Sequence, residues 1–276
     1  MAYKTLMVHV KLGHANRDLL GVTFSLASAL DVHVIGIAAC QPTPIVNSDG
    51  YSPGVFVEAD LAEIHREINV AECEFRATFD KRAASVEWRS AVVYESIADY
   101  IARESSSADL VITSGLSFDP RDTARPEKPG DLVMQAGRPV LVVPRATKTL
   151  KLDRIVVAWK STREARRALA DALPLIKIAK QVTVLELAKE SERTRVSTQL
   201  SEICCWLKTH GITASPEFVA LGKGDHAYQL DVAIRNIDAD LVVAGAYGHS
   251  RFREWALGGV TRDLMLQANY CALLSH

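Results

Sequence analysis

Asp240-Leu-Val-Val-Ala-Gly245 is a β-branched apolar run between a polar segment and a glycine-containing turn, Ala246-Tyr-Gly248, and Asp109-Leu-Val-Ile-Thr-Ser-Gly115 repeats it in the first half of the chain. Runs of this length, bounded by turn residues and alternating with helical patterns, read as buried strands of a mostly parallel sheet. Working outward, Lys4-Thr-Leu-Met-Val-His-Val-Lys11 matches Asp153-Arg-Ile-Val-Val-Ala-Trp-Lys160, and Asp131-Leu-Val-Met-Gln-Ala-Gly137 matches Asp263-Leu-Met-Leu-Gln-Ala-Asn269. Three matches in one order mark an internal duplication. The polar, basic stretch Pro144-Arg-Ala-Thr-Lys-Thr-Leu-Lys151 lies between the copies and reads as the linker, which puts the domains at 1–145 and 152–276.

Strands alternating with helices in each half predict α/β architecture: two tandem open, mostly parallel-sheet domains of Rossmann-like type. In the second half, Ser161 and Glu164 form a capping-box pattern, and Ala165, Ala168, Leu169, Ala172 and Leu173 recur at one-face helical spacing. Val182 to Leu187 reads as the second strand, with Val196, Leu200, Ile203 and Leu207 as the buried face of the helix after it. Glu217 to Leu221 reads as the third strand, Gln229 to Asn236 as the third helix, and Leu241 to Ala244 as the fourth strand. The first half carries a long Pro/Gly loop from Gln41 to Phe56, read as a surface insertion or a lid.

With 276 residues, 48% of them hydrophobic and 24% charged, the chain has material for about two domains. Its net charge of −1 argues against nucleic acid or an anionic membrane as partner and favours a small molecule or a protein. No stretch approaches the ~20 apolar residues of a membrane span, and no apolar export signal precedes the first strand, so a cytoplasmic location is expected. The five cysteines lack CxxC spacing and fall mostly in apolar segments, which predicts reduced, buried thiols. The eight histidines are scattered, and no metal site is expected.

The chemistry-bearing motif follows the fourth strand of the second half. Gly245-Ala-Tyr-Gly248, nine further residues, and Gly258-Gly259-Val260-Thr261 opening a helix put backbone amides at the carboxyl end of a parallel strand. Phosphate is the natural guest of such a crevice. Glycine lets backbone amides approach phosphate oxygens without an intervening Cβ.

In these residues the chain resembles universal stress proteins of the nucleotide-binding type, which carry Gly-x2-Gly-x9-Gly-Ser/Thr here. Gly245, Gly248 and Gly258 match residue by residue. The resemblance implies an adenine nucleotide (ATP, ADP or AMP) in the C-terminal domain and a role in stress response. It also implies pairing of the halves across a pseudo-twofold through their last strands, Val140 to Val143 and Ala272 to Leu274, as an intrachain pseudo-dimer that leaves a homodimer open. Two departures stand out. Gly259 replaces the usual hydroxyl residue, while Thr261 keeps the second hydroxyl. Lys11 and Lys160 end the first strands where nucleotide-binding members usually carry Asp near the nucleotide and its metal. Lys160 either meets the phosphates directly without Mg²⁺ or blocks the usual mode.

In the first half Gly115 survives, but Pro126, Glu127 and Pro129 occupy the stretch that should donate amides. Proline lacks the donor and glutamate repels phosphate, so loss of that site is expected. Gly222-Lys-Gly-Asp-His226 lacks Walker spacing and reads as a tight turn, with Asp225 or His226 bordering the crevice. Arg251 and Arg253 are either anion clamps or solvated charges, and Trp159 either stacks on a base or packs beneath the sheet edge. Three functions stay open: a nucleotide-binding regulatory protein, a nucleotide-independent scaffold, and a slow ATP hydrolase for which Asp225 is the nearest general base.

Overall fold

The computed structural model describes residues 2–43, 53–80, 85–115, 129–145, 147–246 and 270–276. The first half contributes β1 (Thr5–His9), α1 (Arg17–Leu30), β2 (His33–Cys40), α2 (Pro53–Phe79), β3 (Val86–Val92), α3 (Ile97–Glu104), β4 (Leu110–Ser114), α4 (Pro129–Gln135) and β5 (Val140–Val143). The second contributes β6 (Arg154–Ala158), α5 (Arg163–Asp171), α6 (Leu173–Ile176), β7 (Gln181–Ala188), α7 (Arg193–Thr209), β8 (Ala214–Ala220), α8 (His226–Ile237), β9 (Leu241–Gly245) and β10 (Cys271–Ser275).

These strands form one 10-stranded sheet in the order β3-β2-β1-β4-β5-β10-β9-β6-β7-β8. Read outward from the centre, each half runs fifth, fourth, first, second, third strand, so the duplication in the sequence is a duplication in topology. Pairing within each half is parallel. The halves meet through one antiparallel pair, β5 with β10, in the register Ala272↔Val142, Leu273↔Leu141 and Leu274↔Val140. This is the expected edge pairing, and it removes two exposed sheet edges at once. Two contacts reinforce the seam: the Tyr3 hydroxyl donates to the Asp171 carbonyl at 2.6 Å, and Arg167 donates to the Gly137 carbonyl at 2.7 Å.

The Asp of the repeated Asp-Leu-Val run has one structural job in both halves. Asp109 accepts from the backbone amides of Lys4 and Thr5, at 2.7 and 3.0 Å. Asp240 accepts from those of Asp153 and Arg154, both at 2.8 Å. Each carboxylate thereby latches the start of the first strand to the start of the fourth. Charge-assisted bonds of this kind stabilise more than neutral ones.

Alternate strand residues face opposite helical layers, as the pleat requires. Leu6, Val8, Ile155 and Val157 pack with buried residues of α1, α2, α5 and α7, while Met7, Val111, Val156 and Val242 pack with those of α3, α4 and α8. Gly36 of β2 lies under the rings of Phe75 and Trp88, where an added Cβ would come within 2.7 Å of the indole.

Several expected boundaries shift. β8 starts at Ala214 rather than Glu217 and includes Pro216; it is the outer strand of its half, where the missing amide of proline is tolerated. The third helix of the second half starts at His226 and ends at Ile237. Helix α2 begins at Pro53, inside the stretch read as a loop; residues 44–52 of that stretch lie outside the described residues. Ile203 is half-buried, while Val196, Leu200 and Leu207 are fully buried. The cysteine expectation holds for Cys40 and Cys271 only, since Cys73 and Cys205 are exposed and Cys204 is intermediate. On α7 the step from 204 to 205 turns about 100° off the buried face, which an apolar-segment criterion does not see. Burial pushes the Cys271 thiol up to about 12, so it stays protonated at neutral pH.

Candidate functional site

The second-half crevice is built where β6 and β9 run side by side to their carboxyl ends. Their register places Ala158 beside Ala244, so Trp159 and Lys160 leave the sheet next to Gly245 and Ala246. The Ala246 amide donates to the Ser275 carbonyl at 2.8 Å, which holds the chain against β10 as the glycine-rich stretch begins.

Helix α5 starts directly over this point. Its cap is Thr162, not Ser161: the Thr162 backbone is extended, and its side chain accepts from the Ala165 amide at 3.2 Å. The turn before it is tight, with the Thr162 amide donating to the Lys160 carbonyl at 2.6 Å. Ser161 lies inside that turn and cannot act as the cap. Asx and hydroxyl residues satisfy the first free amides of a helix from the cap position only.

Gly245 is required by this packing. A Cβ there would lie 2.4 Å from the Ala165 amide nitrogen, 2.6 Å from the Glu164 carbonyl carbon and 2.9 Å from Ala165 Cα. All three are backbone atoms, so no side-chain rotation relieves the contact. The first glycine of the motif therefore lets the end of β9 sit against the N-terminus of α5. This brings a helix terminus with its partial positive charge to the strand ends.

Lys160 is exposed at the end of this arrangement. Beneath it, Trp159 and Glu186 are buried, and the Trp159 amide donates to the Leu185 carbonyl at 2.7 Å, so the two side chains belong to neighbouring strands. Trp159 is part of the core with Val157 and Val182, which places it beneath the sheet end rather than open for a base to stack on. Its indole Nε1 and Glu186 Oε2 find no hydrogen-bond partner among the described residues. Burial pushes the Glu186 carboxyl above its usual range, while Arg195 and Lys160 act to lower it. Glu186 was not singled out in the sequence; the available signal was one acidic residue inside Val182-Thr-Val-Leu-Glu-Leu-Ala188.

Of the residues read as the phosphate site, Gly245 and Lys160 are brought together as described. Gly248, Gly258, Gly259, Val260 and Thr261 lie outside the described residues, as do Arg251 and Arg253. The Gly222 to His226 segment is a turn: Gly224 has φ +113°, the Gly222 amide donates to the Gln229 side chain at 2.7 Å, and Asp225 caps α8 by accepting from the Ala227 amide at 2.9 Å. Asp225 thus serves as the N-cap of α8. Among the described residues no group of three or more His, Cys, Asp or Glu is placed to hold a metal ion, and no helix is long and apolar enough to cross a membrane.

No protein-family model matches the chain, and no curated protein does so either. Solved structures do. A universal stress protein from Archaeoglobus fulgidus DSM 4304 matches over 98% of this chain and 95% of its own, with TM-score 0.68 and 11% identity. A functionally unknown protein from Pseudomonas aeruginosa PAO1 matches over 99% of this chain and 92% of its own, with TM-score 0.59 and 15% identity. A protein from Pseudomonas aeruginosa UCBPP-PA14, provisionally assigned as a universal stress protein, covers 99% and 93%, again with TM-score 0.59 and 15% identity. Identities this low speak for the fold, and the matches extend over both halves with the strand order already described. The chain has the fold of a tandem universal stress protein, two copies of that α/β unit in one polypeptide.

Proposed function

We propose that this chain is a stress-response regulatory protein whose C-terminal half holds an adenine nucleotide, with its phosphates on the backbone amides of Gly245 to Gly248 and Gly258 to Thr261. The observation that carries the reading is the close approach of Gly245 to the N-terminus of α5, which joins a helix terminus and two parallel strand ends at one point. The Gly-x2-Gly-x9-Gly spacing starts at that same glycine. Anions are stabilised where free amides and a helix dipole converge.

In this reading the Lys160 ammonium takes the place that a metal ion and an aspartate would share. Lys160→Asp is therefore expected to weaken metal-free binding of ATP by roughly tenfold or more, the effect of losing one charged hydrogen bond and adding repulsion. Calorimetric titration of both proteins with and without Mg²⁺ checks it. A gain of affinity in the variant with Mg²⁺ would mean that Lys160 blocks the site and would favour a nucleotide-independent scaffold.

A further inference from the structure

The joint between the two halves contains a carboxylate that is largely shut away from water. Asp171 is the last residue of α5, and it sits where that helix of the second half reaches the start of the first half, with the Tyr3 hydroxyl donating to its backbone carbonyl. Its side chain is 27% exposed, and its Oδ2 atom is buried with no hydrogen-bond partner among the described residues. Ser275 Oγ, at the end of β10, is buried in the same state. The ion-pair partner is Arg167, one turn back on α5, whose Nε stands 3.7 Å from Oδ2. That is too long for a hydrogen bond. The Nη2 of the same guanidinium is directed across the seam, to the Gly137 carbonyl.

The groups that face Asp171 come from every element around it: Arg167 on α5, Arg138 ahead of β5, the Ser275 hydroxyl on β10 and the Tyr3 hydroxyl ahead of β1. Burial holds the Asp171 carboxyl above the usual carboxylate range, against Ser275, Arg167 and Arg138, which favour its charged form. Arg138 is directed elsewhere, donating to the Ser106 carbonyl at 3.1 Å. Burial, and then the charges of Asp171 and Asp109, push the Tyr3 hydroxyl upward, so it stays a donor. Among the described residues the buried oxygen of Asp171 therefore meets no donor at bonding distance, and a charge held in that way is costly. The repeat aligns Tyr3 with Leu152, which is buried in the core and carries no hydroxyl. The tyrosine contact thus has no counterpart through that position on the other side of the pseudo-twofold.

We infer that Asp171 makes the joint between the halves responsive to pH: proton uptake from water at its carboxyl tightens α5 against Tyr3 and β10, and proton loss loosens it. Below the ordinary aspartate value the group is neutral in the folded and the unfolded chain alike, and the joint keeps its full strength. As the pH rises through the higher folded value, the folded chain must hold a buried charge that the unfolded chain exposes to water, and that strength is lost. The device does not depend on the proposed nucleotide site.

The test uses the full chain. Carboxyl ¹³C NMR of the wild type, with the Asp171 signal assigned through its backbone, should show a titration above ~3.9, the ordinary aspartate value. Urea unfolding followed by circular dichroism then compares the wild type with Asp171→Asn at acidic and neutral pH. Asparagine stays neutral and escapes the loss, so the unfolding equilibrium constant of the variant relative to wild type should fall by about threefold or more from about pH 4.5 to about pH 7.5. The surface control Glu202→Gln should show no such trend. Hydrogen exchange, corrected for its intrinsic pH dependence, should place the wild-type change in the α5 and β10 segments. Three results would each overturn the inference: an Asp171 titration at or below ~3.9, a ratio between wild type and Asp171→Asn that does not vary with pH, or a pH-dependent change in exchange that spares α5 and β10.

Discussion

Gly245→Val is expected to destabilise the protein by about 3 kcal/mol and to remove nucleotide binding with it. The added Cβ would overlap three backbone atoms of α5 at 2.4 to 2.9 Å. Either α5 must lift from β9 or the strand end must bend away. Overpacking a well-filled site costs ~1–3 kcal/mol even where side chains can yield, and backbone atoms yield less. Denaturant unfolding followed by circular dichroism reads the stability loss, and calorimetry on the still-folded protein reads the binding loss. Stability within about 0.5 kcal/mol of wild type would mean that the close approach is not a constraint, and the physical basis of the crevice would fall with it.

Leu273→Asp should have an effect at least as large, at the seam between the halves. Leu273 and its register partner Leu141 are both fully buried, and among the described residues the antiparallel pair is the one ladder that joins the two parallel halves of the sheet. An uncompensated carboxylate in that position costs roughly 3–5 kcal/mol, a large fraction of the ~5–15 kcal/mol that holds a domain folded. The expected result is a protein that unfolds at markedly lower denaturant, with proteolytic cleavage appearing in the segment 144–151. An unaltered unfolding midpoint would show that the seam is not part of the cooperative structure.

Much of the fold was legible because the duplication is written in residues with fixed structural jobs. The Asp-Leu-Val runs are readable as strands, and their aspartates prove to be latches repeated in both halves. Capping was misread by one residue because Ser161 and Thr162 are both competent hydroxyls, and only the tight turn at Lys160 decides between them. β8 was read short at its start: it includes Pro216, which a strand tolerates at the edge of a sheet, and that edge position is not visible locally. The buried contact between His9 and Thr113 was missed for a different reason. The two residues lie on β1 and β4, far apart in sequence, and only parallel register brings His9 beside Thr113. The lone histidine within Leu6-Met-Val-His-Val10 was the one local hint.

The central claim is that the second half holds a nucleotide by backbone amides of its glycine-rich loop. The direct measurement is calorimetric titration of ATP and AMP, without metal, into the wild type, Gly248→Val and Gly115→Val. A β-branched side chain at Gly248 would fill the phosphate space and oppose the backbone conformation that glycine permits. The account predicts one nucleotide per wild-type chain, no detectable binding to folded Gly248→Val, and unchanged affinity in Gly115→Val. No binding to the wild type, or equal loss of affinity from Gly115→Val, would contradict it.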